Sequence, residues 1–167
     1  MSPERFWRSA AAGERALHCA AVKVPMKIRL LMLGKTRRPE LRATIDDYVK
    51  RVSHTNPIAI EELRDADSAL KKLDANRAAT SVLLDAGGKS HDSESFAKWI
   101  ADQRERGTRE LIFVCGDADG FPAALRERVR QKISLSPMTY SHELARAMLA
   151  EQLYRAFAIL SGSPYPK

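Results

Sequence analysis

The sequence has only two cysteines, Cys19 and Cys115, far apart and outside any CxxC pair. That spacing excludes a disulfide framework and a thiolate metal site, and it points to a reducing, cytoplasmic setting. The four histidines, His18, His54, His91 and His142, are equally scattered, so no zinc-ligand spacing exists and no metal is expected. No stretch approaches the ~18 apolar residues of a membrane span, which leaves no reason to expect a membrane partner. The dinucleotide fingerprint GxGxxG and the phosphate loop GxxxxGK(S/T) are both missing, which disfavours an ordinary nucleotide-binding protein. Internal repeats and low-complexity tracts are absent too.

What remains is a chain of 167 residues, 44% hydrophobic and 29% charged, the composition of one globular domain with a sizeable core. Lys and Arg number 28 against 21 Asp and Glu, a formal charge of +7. Such an excess suits a polyanionic partner such as RNA, and it equally suits a solubilising surface. Residues 1–25 contain Arg and Ala but no sustained apolar stretch, so they make a poor signal peptide. The organisation breaks at Pro25, and "MKIRLLMLGK" then reads as the opening of a protein. The expectation is a domain over 26–167, with 1–25 a weakly ordered extension or a start-site artefact.

From Met26 onward strand-like and helix-like segments alternate. "KIRLLMLG", "PIAIEEL", "TSVLLDAGG", "ELIFVCG" and "ISLS" read as strands. Pro57 sends the second to a strand start or a sheet edge, and the third is apolar enough to be central. Between them lie helices. The first carries Leu41, Ile45, Tyr48, Val49 and Val52 at helical spacing. "DADSALKKLDANRA" has a thin apolar face, and "DSESFAKWIADQRERG" opens on the capping residues Asp92 and Ser93 and stops at Gly107. "FPAALRERVRQ" has Pro122 in its first turn. Alternation of this kind predicts an α/β fold: a mostly parallel sheet with helices on both faces. In such sheets ligands bind beyond the carboxyl ends of the strands, so three loops are candidates: "DAGGKS" after Leu84, "GDADGFP" after Cys115 and "SPMTYSH" after Leu135.

The loops differ in what they offer. "GDADG" exposes backbone amides before a helix, but Asp117 and Asp119 repel phosphate, and a plain turn explains it as well. "DAGGKS" either presents Lys89 to an anion or is an ordinary loop. In "SPMTYSH", Pro137 keeps Ser136 out of a helix, while Ser141 suits the cap of a helix beginning at His142. His142 is either a proton acceptor or a packing residue. The last helix spreads Leu144, Ala145, Met148, Leu149, Leu153, Ala156, Phe157 and Leu160 over far more than one stripe. It must be covered from several sides, either by the domain itself or by a second copy across a two-fold axis. Glu151 and Arg155 form an i,i+4 pair.

Taken with "MKIRLLMLGK", "LLDAGGKSHDSESFA" and "FVCGDADG", the segment "ISLSPMTYSHELARAMLAEQLYRAFAI" resembles the family of methyltransferases that modify a pseudouridine of 23S rRNA, members of the SPOUT class. The similarity runs from Met26 to Lys167. It implies an α/β fold with a C-terminal trefoil knot, a homodimer, S-adenosylmethionine as methyl donor, and N3 of a pseudouridine in the large ribosomal subunit as acceptor. By motif position the cofactor contacts fall on Leu84, Gly116, Leu135, Ser136, Pro137, Met138, Thr139 and Tyr140. Candidates for assisting proton transfer are His142, Arg155, Tyr165 and Lys167. Two departures stand out. Asp117 replaces a glycine of the family's Gly-rich turn, and Pro166 occupies the place of a tail histidine. The rival expectation is a knotted RNA-binding module that has lost catalysis through those two changes.

Overall fold

A computed structural model describes residues 25–164; the expectations for 1–24 and for Tyr165, Pro166 and Lys167 lie outside the described residues. The chain runs β1 (Lys27–Leu33), α1 (Pro39–Ser53), β2 (Ile58–Leu63), α2 (Ala66–Ala75), β3 (Thr80–Ser90), α3 (Ser93–Glu105), β4 (Glu110–Cys115), α4 (Ala123–Arg128), β5 (Gln131–Ser134) and α5 (His142–Ser161). The five strands form one sheet in the order β2-β1-β4-β3-β5, and every pairing is parallel. Parallel neighbours need crossovers, and the helices supply them. The strand that begins behind Pro57 is an edge strand, a position where a proline at the strand's start leaves no ladder bond unmade.

Alternation along β1 sorts the core into two layers. Ile28, Leu30 and Met32 face α1, α3 and α5 together with Phe96, Ile100, Phe113 and Leu153. Leu31 and Leu33 face the other side, where Leu73 of α2 and Leu125 of α4 meet Ile112 and Val114. Successive side chains point to opposite faces, so a strand buried on both sides has no polar position to spare. In β4 the five residues from Leu111 to Cys115 are all buried, and this strand, not β3, is the centre of the sheet.

Several element boundaries differ from the sequence expectation. Asp92 alone caps α3, accepting from the Ser95 N–H at 2.7 Å. Ser93 is already helical, and its hydroxyl donates to Gln152 Oε1 of α5 at 2.8 Å. Pro122 caps α4 instead of lying in its first turn, and the helix is only six residues long because Val129 is extended. β5 starts two residues early, at Gln131.

The largest difference lies in "DAGGKS", which is not a loop. It continues β3, with a break in register: Leu84 and Lys89 both lie opposite Ile133, and Ser90 opposite Ser134. Gly88 is the reason the detour fits. A Cβ there would stand 2.6 Å from the Ile133 nitrogen and from the Lys132 carbonyl carbon, inside van der Waals contact with β5 backbone.

Helix α5 is covered on two sides, by α1 and α3. Tyr154 and Tyr48 pack with ring centroids 6.0 Å apart across the first contact, and Arg51 lies 5.7 Å from both rings. The all-round apolar character is thus mostly intramolecular packing; what stays exposed is Leu144, Ile159 and Leu160.

Candidate active site

At the carboxyl ends of β3, β4 and β5 the sheet opens into a cleft of about 430 Å3, within the ~300–1,000 Å3 common for small-ligand sites. All three candidate loops border it. Leu84, Asp85 and Ala86 come from β3, Gly116, Gly120 and Phe121 among others from the turn after β4, and most of the segment from Leu135 to Ser141, Pro137 excepted, from beyond β5, with His142 and Ala145 of α5 also lining it. Of the eight residues marked for the cofactor, Leu84, Gly116, Leu135, Ser136, Met138, Thr139 and Tyr140 line this cleft; Pro137 is exposed and does not. Of the proton-transfer candidates, His142 lines it. Arg155 does not: it lies thirteen positions along α5 and donates to Glu151 Oε1 at 3.0 and 2.6 Å.

Local hydrogen bonds shape each wall. In the turn after β4 the Asp117 carboxylate accepts from the Asp119 N–H at 3.1 Å, and the Gly120 N–H donates to the Asp117 carbonyl at 3.2 Å. The turn is completed by Gly120 at φ +76°, a conformation L side chains rarely adopt. Asp117 therefore closes the turn with its own side chain, as Asx turns do, and a glycine at 117 is not needed to form it. Beyond β5, Ser134 Oγ donates to the Ser136 carbonyl at 2.7 Å, and Ser136 Oγ accepts from the Met138 N–H at 3.0 Å. This folds the segment back over the cleft and leaves Met138, 68% exposed, at its mouth. Ser141 caps α5 by accepting from the Leu144 N–H at 3.4 Å.

Leu84, Leu135, Met138, Phe121 and Ala145 give the cleft an apolar lining suited to a flat heterocycle, while strand-end and turn backbone groups supply hydrogen-bonding edges. This is a combination an adenosine can use. One ion pair lies at the cleft's edge. Arg126 Nη1 lies 3.0 Å from Asp85 Oδ2. Burial pushes the Cys115 thiol up to about 12, so it is a protonated wall residue and not a nucleophile.

Beneath the floor lies Arg146, fully buried in α5. Its guanidinium donates to the carbonyl oxygens of Leu33, Gly34 (3.3 Å) and Gly116 (3.3 Å), and to Thr36 Oγ1 at 3.1 Å. Burial lowers its pKa, and nearby Cys115, Glu62, Glu143 and Asp117 oppose that shift. One turn earlier, the nearly buried Glu143 accepts from the backbone N–H groups of Arg37 (2.8 Å) and Arg38 (3.1 Å), which hold its carboxyl below the ordinary range. Sequence reasoning missed both residues, although a signal was available: a Glu and an Arg three apart within a helix otherwise committed to the core.

A parallel sheet with a ligand cleft at its carboxyl end, bordered by a loop leading into a core helix, defines a small-ligand-binding α/β protein, and the comparisons narrow it. The family model described as "Predicted SPOUT methyltransferase" matches residues 26–166. Curated relatives named "Ribosomal RNA large subunit methyltransferase H" are 39% identical in Trichlorobacter lovleyi, over 84% of this chain and 99% of that protein. A relative of the same name in Synechococcus sp. is 43% identical, over 84% of this chain and 96% of its own length. A solved structure, "a probable methylase family protein from Haemophilus influenzae", superposes with a TM-score of 0.54 at 10% identity, covering 85% of this chain and 72% of that one, and shares the fold. The chain belongs to the SPOUT methyltransferase family.

Proposed function

We propose that this protein transfers a methyl group from S-adenosylmethionine to N3 of a pseudouridine in 23S rRNA of the large ribosomal subunit, acting as a cytoplasmic homodimer whose C-terminal segment is threaded into a trefoil knot. One observation carries the reading. The "GDADG" turn and the "LSPMTY" run, far apart in sequence, face each other across one cleft at the sheet's carboxyl end, and the relatives that share the whole domain are named for rRNA methylation. Support for a dimer is the exposed apolar side chains Leu144, near the start of α5, and Ile159 and Leu160, near its end, on a helix already packed on two sides.

The methyl donor, when bound, supplies an electrophilic carbon on a sulfonium. The remaining work falls to the protein. The 135–140 segment and the Gly116 turn would hold the donor between them, and positioning of the donor against the incoming nitrogen would account for much of the acceleration in a displacement that needs no covalent intermediate. N3 of pseudouridine lies between two carbonyls, so its N–H is mildly acidic, and a nearby group that takes the proton or stabilises the anion speeds attack. His142, which lines the cleft, is the residue we assign to that task. The target base must be exposed or flipped to reach it.

Two measurements test the proposal. Titration calorimetry with S-adenosylmethionine is expected to give saturable binding that Gly116→Arg abolishes. At Gly116 even a Cβ would already meet the Phe121 ring at 3.4 Å, so the longer side chain must project into the cleft or displace its wall. Mass spectrometry of 23S rRNA from cells with and without the gene is expected to differ by one methyl group on a pseudouridine. An unchanged modification pattern overturns the assignment.

A further inference from the structure

We infer that the loop joining β1 to α1, carrying Lys35, Arg37 and Arg38, is the rim that grips RNA phosphates and seats the acceptor over the cleft. The inference rests on the methyltransferase reading and names a surface that reading leaves open.

Three observations carry it. First, Lys35, Arg37 and Arg38 are exposed, and none of their side chains has a salt-bridge or hydrogen-bond partner among the described residues. What sets these three apart is their density: other cations without a carboxylate partner among the described residues, such as Lys71, Lys98 and Arg106, are spread over separate elements, whereas here three fall within four residues. Second, the carboxylates at this corner do not neutralise them through side-chain pairing. Glu143 is occupied by the backbone N–H groups of Arg37 and Arg38, and Glu62 by the Thr36 N–H at 2.9 Å and by Arg42. Third, the loop is tied to the cleft wall. Arg146 joins the Leu33 and Gly34 carbonyls to that of Gly116, and Glu143 and Arg146 flank the cleft-lining Ala145 on α5.

The backbone is therefore fixed from below while the charged ends are left free above. A polyanion meeting this rim loses little loop entropy on binding, and each phosphate neutralised releases counterions. RNA is favoured over an acidic peptide because the cations sit beside a site proposed to act on a base, and recognition of folded RNA relies on phosphate and shape contacts.

The test uses the full-length protein and 70S ribosomes from a strain lacking the gene. Binding is followed at fixed magnesium while KCl varies from about 50 to 200 mM, and for the combined variant Lys35→Gln/Arg37→Gln/Arg38→Gln the slope of log K against log salt is expected to become shallower by about 2 to 3. KM for ribosomes should rise while affinity for S-adenosylmethionine stays at the wild-type value. The charge-matched control Lys71→Gln/Lys98→Gln/Arg106→Gln, exposed on α2, on α3 and at the end of α3, should keep the wild-type slope. Single variants Arg37→Gln and Arg38→Gln, each expected to lower the slope by ~0.7–0.9, guard against misfolding of the triple. A wild-type slope in the triple variant, an equal fall in the control, or no ribosome binding by the wild type overturns the inference. Loss of methyl transfer and cofactor binding in the wild type overturns the methyltransferase reading instead, and the salt slope still reports on the loop.

Discussion

Replacing Arg146 by Met tests whether the cleft floor depends on a buried cation. The substitution keeps much of the length and apolar volume of the side chain but removes donors to Leu33, Gly34, Thr36 and Gly116. Three of those acceptors are strand-end carbonyls, and losing their donor in the interior costs about 1–3 kcal/mol each where water cannot enter. Against this, the variant is spared the desolvation of a fully buried guanidinium. The losses are shared by one side chain and are not additive, so a net destabilisation of about 3–5 kcal/mol is expected, the range for breaking a buried charged network. With a urea slope of about 2 kcal/mol/M, the unfolding midpoint at fixed protein concentration should fall by ~2 M. Because Gly116 loses its anchor, affinity for S-adenosylmethionine should fall as well. Arg146→Lys, a single ammonium in place of a planar fork, should recover only part of both losses. A midpoint within ~0.25 M of wild type, with unchanged cofactor affinity, would refute the proposed anchoring.

Gly88→Ala places a methyl group against the β5 backbone at 2.6 Å; it should lower stability by about 1–3 kcal/mol and loosen the 135–140 segment, read as weaker cofactor binding, and a neutral effect would show that β3 and β5 can separate without cost. For Glu143 the folded pKa is depressed, so its stabilising effect is present above the ordinary carboxylate value near 4.5 and is lost as pH falls through the depressed one. Glu143→Gln should therefore differ from wild type at pH 7, and the gap in urea midpoints should shrink as pH is taken below 4.5; a constant difference down through the acid range would contradict the linkage. Cys115, buried and pushed up to about 12, should react with a thiol reagent only after urea unfolding; rapid labelling of the native protein would mean the floor opens.

Much of the fold was legible because it rests on local rules. The double-faced apolar runs "LLML" and "LIFVC" require a sheet covered on both sides, Pro57 marks an edge, and Asp92 and Ser141 mark helix starts. The site was legible in part for a different reason: in parallel sheets ligand loops follow strand ends, so Leu84, Gly116 and the run after Leu135 could be assigned to one place before any contact was known. What remained hidden depends on partners distant in sequence. Gly87 and Gly88 look like loop formers, and only the position of Lys132 and Ile133 reveals that Gly88 is there to let two strands pass at close range.

Arg146 illustrates the same limit on the functional side. In the sequence it is one charge in "HELARAM", three positions from Glu143 on a core helix, and nothing nearby tells what it bonds. Its meaning comes from Leu33, Gly34 and Gly116, between 30 and 113 positions away. A carbonyl at the end of a parallel strand has no further strand partner, and two such ends beside a ligand cleft cannot both be left to water without opening the floor. A guanidinium, with five donors in one plane, can reach four acceptors from a single helix position, more than the three N–H groups of a lysine or the two of a neutral amide. The same helix turn delivers Glu143 to the Arg37 and Arg38 amides. One acidic and one basic residue on α5 thus place the β1–α1 loop and the Gly116 turn relative to each other, so changes at either residue should perturb both features.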